Sequence, residues 1–85
     1  MSGTIRGIVV SPAGTPIADA TVLIDAGPGP TRDVAALTDE AGRFVLGGLP
    51  EGAYRLRAID PDAHTGWTEV AVAPGDIVET RVVIR

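Results

Sequence analysis

Apolar and polar residues alternate along this chain in short runs, and Gly or Pro interrupts them every few positions. The clearest run is Tyr54-Arg55-Leu56-Arg57-Ala58-Ile59, where Tyr54, Leu56 and Ala58 face one way and Arg55 and Arg57 the other. A period of two marks a half-buried strand, because successive side chains of an extended backbone point to opposite faces. The same reading predicts strands over Thr4–Ser11, Ala20–Asp25, about Val34 to Thr38, Arg43–Leu46, Tyr54–Ile59, Trp67–Ala73 and Ile77–Ile84. In the sixth, Thr68, Val70 and Val72 share one face, and Trp67, Glu69 and Ala71 the other. In the last, Val78, Val82 and Ile84 point inward. The breaks are rich in Gly and Pro, which cannot sustain a ladder. Of these, Ala26–Thr31 is the expected mobile loop, and Asp60–Gly66 a polar one. No stretch carries a useful helical period. Seven short strands joined by short turns predict an all-β fold, a seven-stranded antiparallel two-sheet sandwich, forming one domain over residues 1–85.

The stretch Leu37–Tyr54 organises this pattern. Asp39 and Gly42 occupy a tight turn where a self-capping carboxylate and a residue without a β-carbon are wanted. Phe44 and Tyr54, the single Phe and the single Tyr, mark the core centre on either side of Gly47-Gly48-Leu49-Pro50-Glu51-Gly52.

Composition narrows the function classes. At 85 residues the chain buries roughly 60–65% of its unfolded surface, enough for one core. It has no Cys, so it forms no disulfide and offers no thiolate. A net charge of −4, with scattered arginines, argues against a nucleic-acid surface. No apolar run reaches the about 18 residues of a membrane-inserted helix. The start, Met-Ser-Gly-Thr-Ile-Arg-Gly, shows no secretory h-region. The expected location is therefore cytoplasmic for a complete chain, and extracellular or cell-surface for a domain of a longer protein.

A set of elements in order carries a family resemblance: Gly7-x-Val9, Gly14-x-Pro16-Ile17, Ala20-x-Val22, Thr38-Asp39-x-x-Gly42-x-Phe44, Leu49-Pro50-x-Gly52-x-Tyr54 and Val70-x-Val72-x-x-Gly75. Together they resemble the carboxypeptidase regulatory-like domain, among the transthyretin-like (prealbumin-like) and Cna-B-like β-sandwiches of Greek-key type. The resemblance implies a non-catalytic accessory or stalk module, with Asp39, Gly42, Phe44, Pro50, Gly52 and Tyr54 as its turn and core residues. Many Cna-B-like domains carry a Lys-derived isopeptide crosslink. The chain has no Lys, so that bond is chemically impossible here.

Enzymes with similar sandwiches set further tests. Intradiol dioxygenases hold iron with two Tyr and two His, whereas this chain has Tyr54 and His64 alone. Hydroxyisourate hydrolases need several His and a C-terminal Tyr-Arg-Gly-Ser, and here the last residues are Arg81-Val82-Val83-Ile84-Arg85. Ser11 and Thr15 have no base at recognisable spacing, so no catalytic residue, resident cofactor or metal is expected. Asp60-x-Asp62-x-His64 offers three candidate metal ligands on one loop, set against an ordinary solvated Asp-Pro turn.

Two binding readings remain. If Ile5, Gly7 and Val9 face the core, then Ile8 and Val10 face out, with Leu23, Val45, Ile59, Ile77 and Val83 as further outward candidates. Contiguous apolar residues on a solvent-facing sheet mark an interface, whereas single ones only reflect strand preference. The leading reading is a protein-binding or self-associating module that uses an outer face or an edge strand. Its contacts are Ile8, Val10, Leu23 and Trp67, with Arg55 and Arg57 giving polar definition. The alternative is a carbohydrate-binding module in which an outward Trp67 stacks on a sugar ring beside Asp60, Asp62 and His64, as in starch-binding-like relatives of the fold.

Overall fold

The computed structural model describes residues 2–27 and 35–85. Its strands are β1 (Gly3–Val10), β2 (Thr21–Ala26), β3 (Ala35–Leu37), β4 (Arg43–Leu49), β5 (Gly52–Ile59), β6 (Thr65–Val72) and β7 (Ile77–Val83). They form a three-stranded sheet, β4-β1-β7, and a four-stranded sheet, β3-β2-β5-β6. The all-β sandwich is therefore as the alternation predicts. The expected mobile loop over 26–31 and the strand start at Val34 fall largely on residues 28–34, outside the described residues.

One pair departs from the antiparallel expectation. β1 and β7 run parallel, from Thr4 opposite Ile77 to Val10 opposite Val83. The reason is parity. Each connection reverses the chain, so the first and seventh strands point the same way, and the sheet places them side by side. All other pairs are antiparallel.

The core takes the inward member of each alternating pair. Ile5, Val9, Val22, Phe44, Leu46, Tyr54, Leu56, Val82 and Ile84 are among its buried members. Phe44 lies over Gly7, with its Cε1 2.7 Å from where a β-carbon would sit. Thr38 is buried beside the core; its Oγ1 donates to the Ile17 carbonyl (2.7 Å) and accepts from the Ala20 N–H (2.9 Å), tying the ends of β2 and β3 to the preceding loop. The turn that follows works as its residues suggest. Asp39 Oδ1 accepts from the N–H groups of Ala41 and Arg43, both at 2.9 Å, and Gly42 sits at φ +75°, which L side chains rarely adopt.

Three boundaries differ from expectation by two residues or more. β4 continues through Gly47 and Gly48 to Leu49, which is buried, and β5 opens at Gly52, so the presumed six-residue connection is mostly strand. The extension is hidden in the sequence because a β-bulge shifts the β1–β4 register between Gly3 and Ile5, and glycines carry no alternation signal. β6 opens at Thr65, before Trp67. Gly66 belongs to the strand and is buried, since a β-carbon there would run into the Val83 carbonyl of the facing sheet. The Arg85 N–H donates to the Thr65 carbonyl (3.1 Å) at the same place. The sandwich is thus closed along its β6–β7 side.

Tyr54 is buried, and its hydroxyl donates to the Pro50 carbonyl four residues earlier. Burial also pushes its phenol pKa up.

Two predictions follow from this packing. Gly66→Ala lowers stability by about 3 kcal/mol or more in urea unfolding, as expected of overpacking against backbone that has no room to move; a neutral result would place β6 further from β7. With no Lys or Cys, Tyr54 is the one side chain that changes charge between about pH 8 and 12. A raised folded-state pKa favours the neutral phenol, so stability is full below about pH 10 and falls as pH rises through the folded value. Tyr54→Phe loses about 1 kcal/mol at neutral pH, where the hydrogen bond is missing, and shows a flat profile above pH 9 in thermal melts.

Candidate functional site

Cross-strand register assembles the outer face of the four-stranded sheet. One row runs Leu37, Thr21, Ile59, Thr65; the next runs Ala35, Leu23, Arg57, Trp67. Leu37 and Trp67 are 67% and 56% exposed, while Leu23 and Ile59 between them are half-buried. The apolar residues are therefore diagonal neighbours in a band across four strands. A β-bulge in β2 between Ile24 and Ala26 sets Asp25 beside two arginines. Its carboxylate lies 3.8 Å from Arg55 Nε and 3.8 Å from an Arg57 terminal nitrogen. The Arg55 guanidinium also stacks over the Trp67 ring, 4.3 Å from its centroid. Glu69, opposite Arg55 in the register, completes the charged border. Both ion pairs are exposed and contribute little to stability; their effect is to hold the guanidinium groups in place.

The outer face of the three-stranded sheet is different. Arg43, Ile8 and Arg81 stand in one row, and Val45, Arg6 and Glu79 in the next. Arg6 and Glu79 approach to 3.9 Å. Val45 and Ile77 are 60% and 61% exposed. A groove of about 610 Å³ runs beside β4, lined by Ile8, Leu37 and Val45 with two arginines, Arg6 and Arg43, and two carboxylates, Asp39 and Glu79.

The sequence-derived contact set is thus divided. Leu23, Trp67, Arg55 and Arg57 share one face, and Ile8 lies on the opposite sheet. Val10, expected to face out, is 2% exposed. It sits where β1 is paired on both sides, bridged to Pro16 and accepting a 2.9 Å bond from the Ile84 N–H, so the chain segments at this end cover it. Leu37 was missed because Ala-Ala-Leu offers no polar alternate to show which way β3 faces.

Asp60, Asp62 and His64 do converge, with ligand atoms within 4.8 Å of one another. Yet Asp60 is already engaged. Its Oδ1 accepts from the N–H groups of Asp62 (2.9 Å) and His64 (2.8 Å), and its Oδ2 lies 3.3 Å from His64 Nδ1. The cluster is the self-capped turn of the β5–β6 hairpin.

A family model for the carboxypeptidase regulatory-like domain matches residues 4–85. The chain belongs to that family. It is a non-catalytic domain family, as the resemblance implied. Among curated proteins, this regulatory-like domain is 35% identical over 69 residues to S-layer protein B of Metallosphaera sedula, a match covering 81% of this chain and 15% of that protein. Solved structures share the fold. A DUF3823 family protein from Parabacteroides merdae superposes with a TM-score of 0.73 at 15% identity, over 98% of this chain and 45% of that one. The dioxygenase domain of a dioxygenase–carbohydrate-binding protein fusion from Streptomyces sp. SirexAA-E gives 0.68 at 14% identity, over 96% and 78%. The C-terminal domain of the Caf1A usher gives 0.61 at 11% identity, over 95% and 97%. The regulatory-like domain thus spans less than half of the S-layer protein and of the DUF3823 structure.

The turn chemistry at Asp60 yields a prediction. Asp60→Ala lowers stability by about 1 kcal/mol through loss of its capping bonds, while added calcium or zinc leaves the wild-type melting temperature unchanged. A metal-dependent rise that vanishes in Asp60→Ala would instead make the loop an ion site.

Proposed function

We propose that residues 1–85 act as one non-enzymatic assembly module, and that the outer face of the four-stranded sheet binds a second copy of the domain. The carrying observation is the diagonal apolar band of Leu37, Leu23, Ile59 and Trp67 bordered by Arg55, Arg57, Asp25 and Glu69. Two arginines and two carboxylates make this face charge-balanced in a protein of net charge −4. Two copies can therefore meet here without like-charge repulsion, each arginine edge finding a carboxylate edge under two-fold symmetry. The molecule measures 34 × 20 × 17 Å, so its broad face is close to the about 800 Å² per partner of a standard interface. The relatives support the reading. One is an S-layer protein, which also favours an extracellular setting, and the usher-domain structure is described as having surface hydrophobic clusters important for antigen assembly.

Glycan binding is the second reading, favoured by the exposed Trp67 ring and by the carbohydrate-binding fusion partner of one fold relative. Arg55 covers one ring face, leaving a sugar only the other.

Light scattering after size-exclusion chromatography over a concentration series tests the proposal. The expected result is a concentration-dependent dimer whose dissociation constant rises about tenfold or more in Leu23→Asp and Leu37→Asp. A monomer at every concentration refutes self-association. Retention on a glycan array that is lost in Trp67→Ala, with the oligomeric state unchanged, selects the carbohydrate reading.

A further inference from the structure

We propose that the free side of β4 pairs with the same strand of a second copy, in a contact separate from the outer face of the four-stranded sheet. The edge pairing stands without that face; only its consequence, growth beyond a dimer, rests on the face binding a copy as well.

The β1–β4 ladder decides which groups of β4 are free. Val9 N–H donates to the Gly42 carbonyl (2.8 Å), and from there Ile8 faces Arg43, Gly7 faces Phe44 and Arg6 faces Val45. Bonded and non-bonded pairs alternate along an antiparallel ladder. Phe44 and Leu46 therefore turn their main-chain groups to β1, and Arg43 and Val45 turn theirs away. Arg43 closes its own through Asp39: its N–H donates to Asp39 Oδ1 at 2.9 Å, and its carbonyl accepts from the Asp39 N–H at 3.0 Å. The N–H and carbonyl of Val45 have no such partner among the described residues, and its side chain is exposed.

The other edge strands are guarded. β3 is three residues long. β7 displays Glu79 and Arg81, and β6 displays Glu69 and is tied to Arg85 through the Thr65 carbonyl. After Arg43, β4 reads Phe-Val-Leu-Gly-Gly-Leu, without the charge or proline that usually protects an edge.

A second copy fits this edge better than a charged strand does. The groove beside β4 holds two arginines, Arg6 and Arg43, and two carboxylates, Asp39 and Glu79. It selects neither an acidic nor a basic segment, and two copies meet there without net repulsion. A two-fold axis at Val45 sets this residue against itself, each N–H donating to the other copy's carbonyl and the two valines covering each other. The same register puts Arg43 of each copy opposite Gly47 of the other. A β-carbon on Gly47 would meet only Thr4 Oγ1, at 4.0 Å, so each guanidinium has open space there. With the outer face, every copy then has two self-complementary surfaces, and assembly does not end at a pair. Leu37 borders both surfaces, so Leu23 and Val45 are the residues that separate them.

Light scattering over a concentration series reads both contacts. The wild type is expected to grow past a dimer at the highest concentrations. Val45→Lys sets like charges against each other at the axis, and Val45→Pro removes the outward N–H while leaving the β1 ladder bonds in place. Each should stop growth at the dimer, with the edge contact weakened about tenfold or more. Val45→Lys changes an exposed side chain and keeps the fold, so the test survives should the proline variant melt. Leu23→Asp is expected to leave a weaker dimer, which Val45→Lys then abolishes. Hydrogen exchange by NMR reads the strand pairing itself: the Val45 amide should exchange about tenfold more slowly in concentrated than in dilute protein. Larger species that persist in both Val45 variants overturn the proposal, as does a Val45 amide whose exchange ignores concentration. A dimer lost in Leu23→Asp at every concentration, with Val45→Lys behaving as wild type, leaves the face standing and overturns the edge. A dimer lost in Val45→Lys and unmoved by Leu23→Asp upholds the edge and refutes the face.

Discussion

Where β6 meets β7, backbone packs directly on backbone, and the rest of the sandwich follows from that contact. Gly66 has no β-carbon because the Val83 carbonyl occupies the space one would need. Such an approach lets two backbones pack without an intervening side chain. On the opposite side, where β3 and β4 run, the close glycine approach is that of Gly42 in the β3–β4 turn to the Val9 carbonyl of β1, and the groove lies open beside β4.

The two broad faces have been built to different electrostatic plans from the same limited alphabet. Arginine is the only cationic side chain apart from His64. On β5, arginines are matched by Asp25 and Glu69 and one is spread over an indole, giving a neutral, partly apolar plane. On β1, β4 and β7, arginines surround isoleucine and valine with a single carboxylate among them. Guanidinium is suited to both settings, because it is weakly hydrated, planar and able to bind carboxylates in a forked manner.

Much of this was legible in the sequence, and the failures have specific causes. Alternation placed the end of β5 at Ile59 and the facing of Tyr54–Ile59, since Arg55 and Arg57 punctuate an otherwise apolar run. Asp39 and Gly42 announced their turn through local chemistry alone, and Phe44 and Tyr54 are buried as the scarcity of rings suggested. Glycine was the main source of error. Gly47, Gly48 and Gly66 read as loop, yet they lie within strands, one pair at a bulge and the other residue at a close approach. Those roles depend on what stands opposite, which a single strand's pattern does not contain. Val10 failed for a related reason: alternation gives its side, but Pro16 and Ile84, which bond to the end of β1, lie outside the strand whose pattern is being read. The acidic loop at Asp60 illustrates the converse, where a residue type that can bind a cation uses one carboxylate oxygen to shape its own backbone.

The parallel pairing of β1 and β7 has a mechanical meaning. A tension applied between the start of the first strand and the end of the last pulls the two neighbours past each other along their length. Every bond between Thr4–Val10 and Ile77–Val83 then resists together in shear, where an antiparallel neighbour loaded at one end would unzip a bond at a time. A domain wired in this way transmits force through its three-stranded sheet while the four-stranded sheet stays unloaded, its outer face undistorted by the pull.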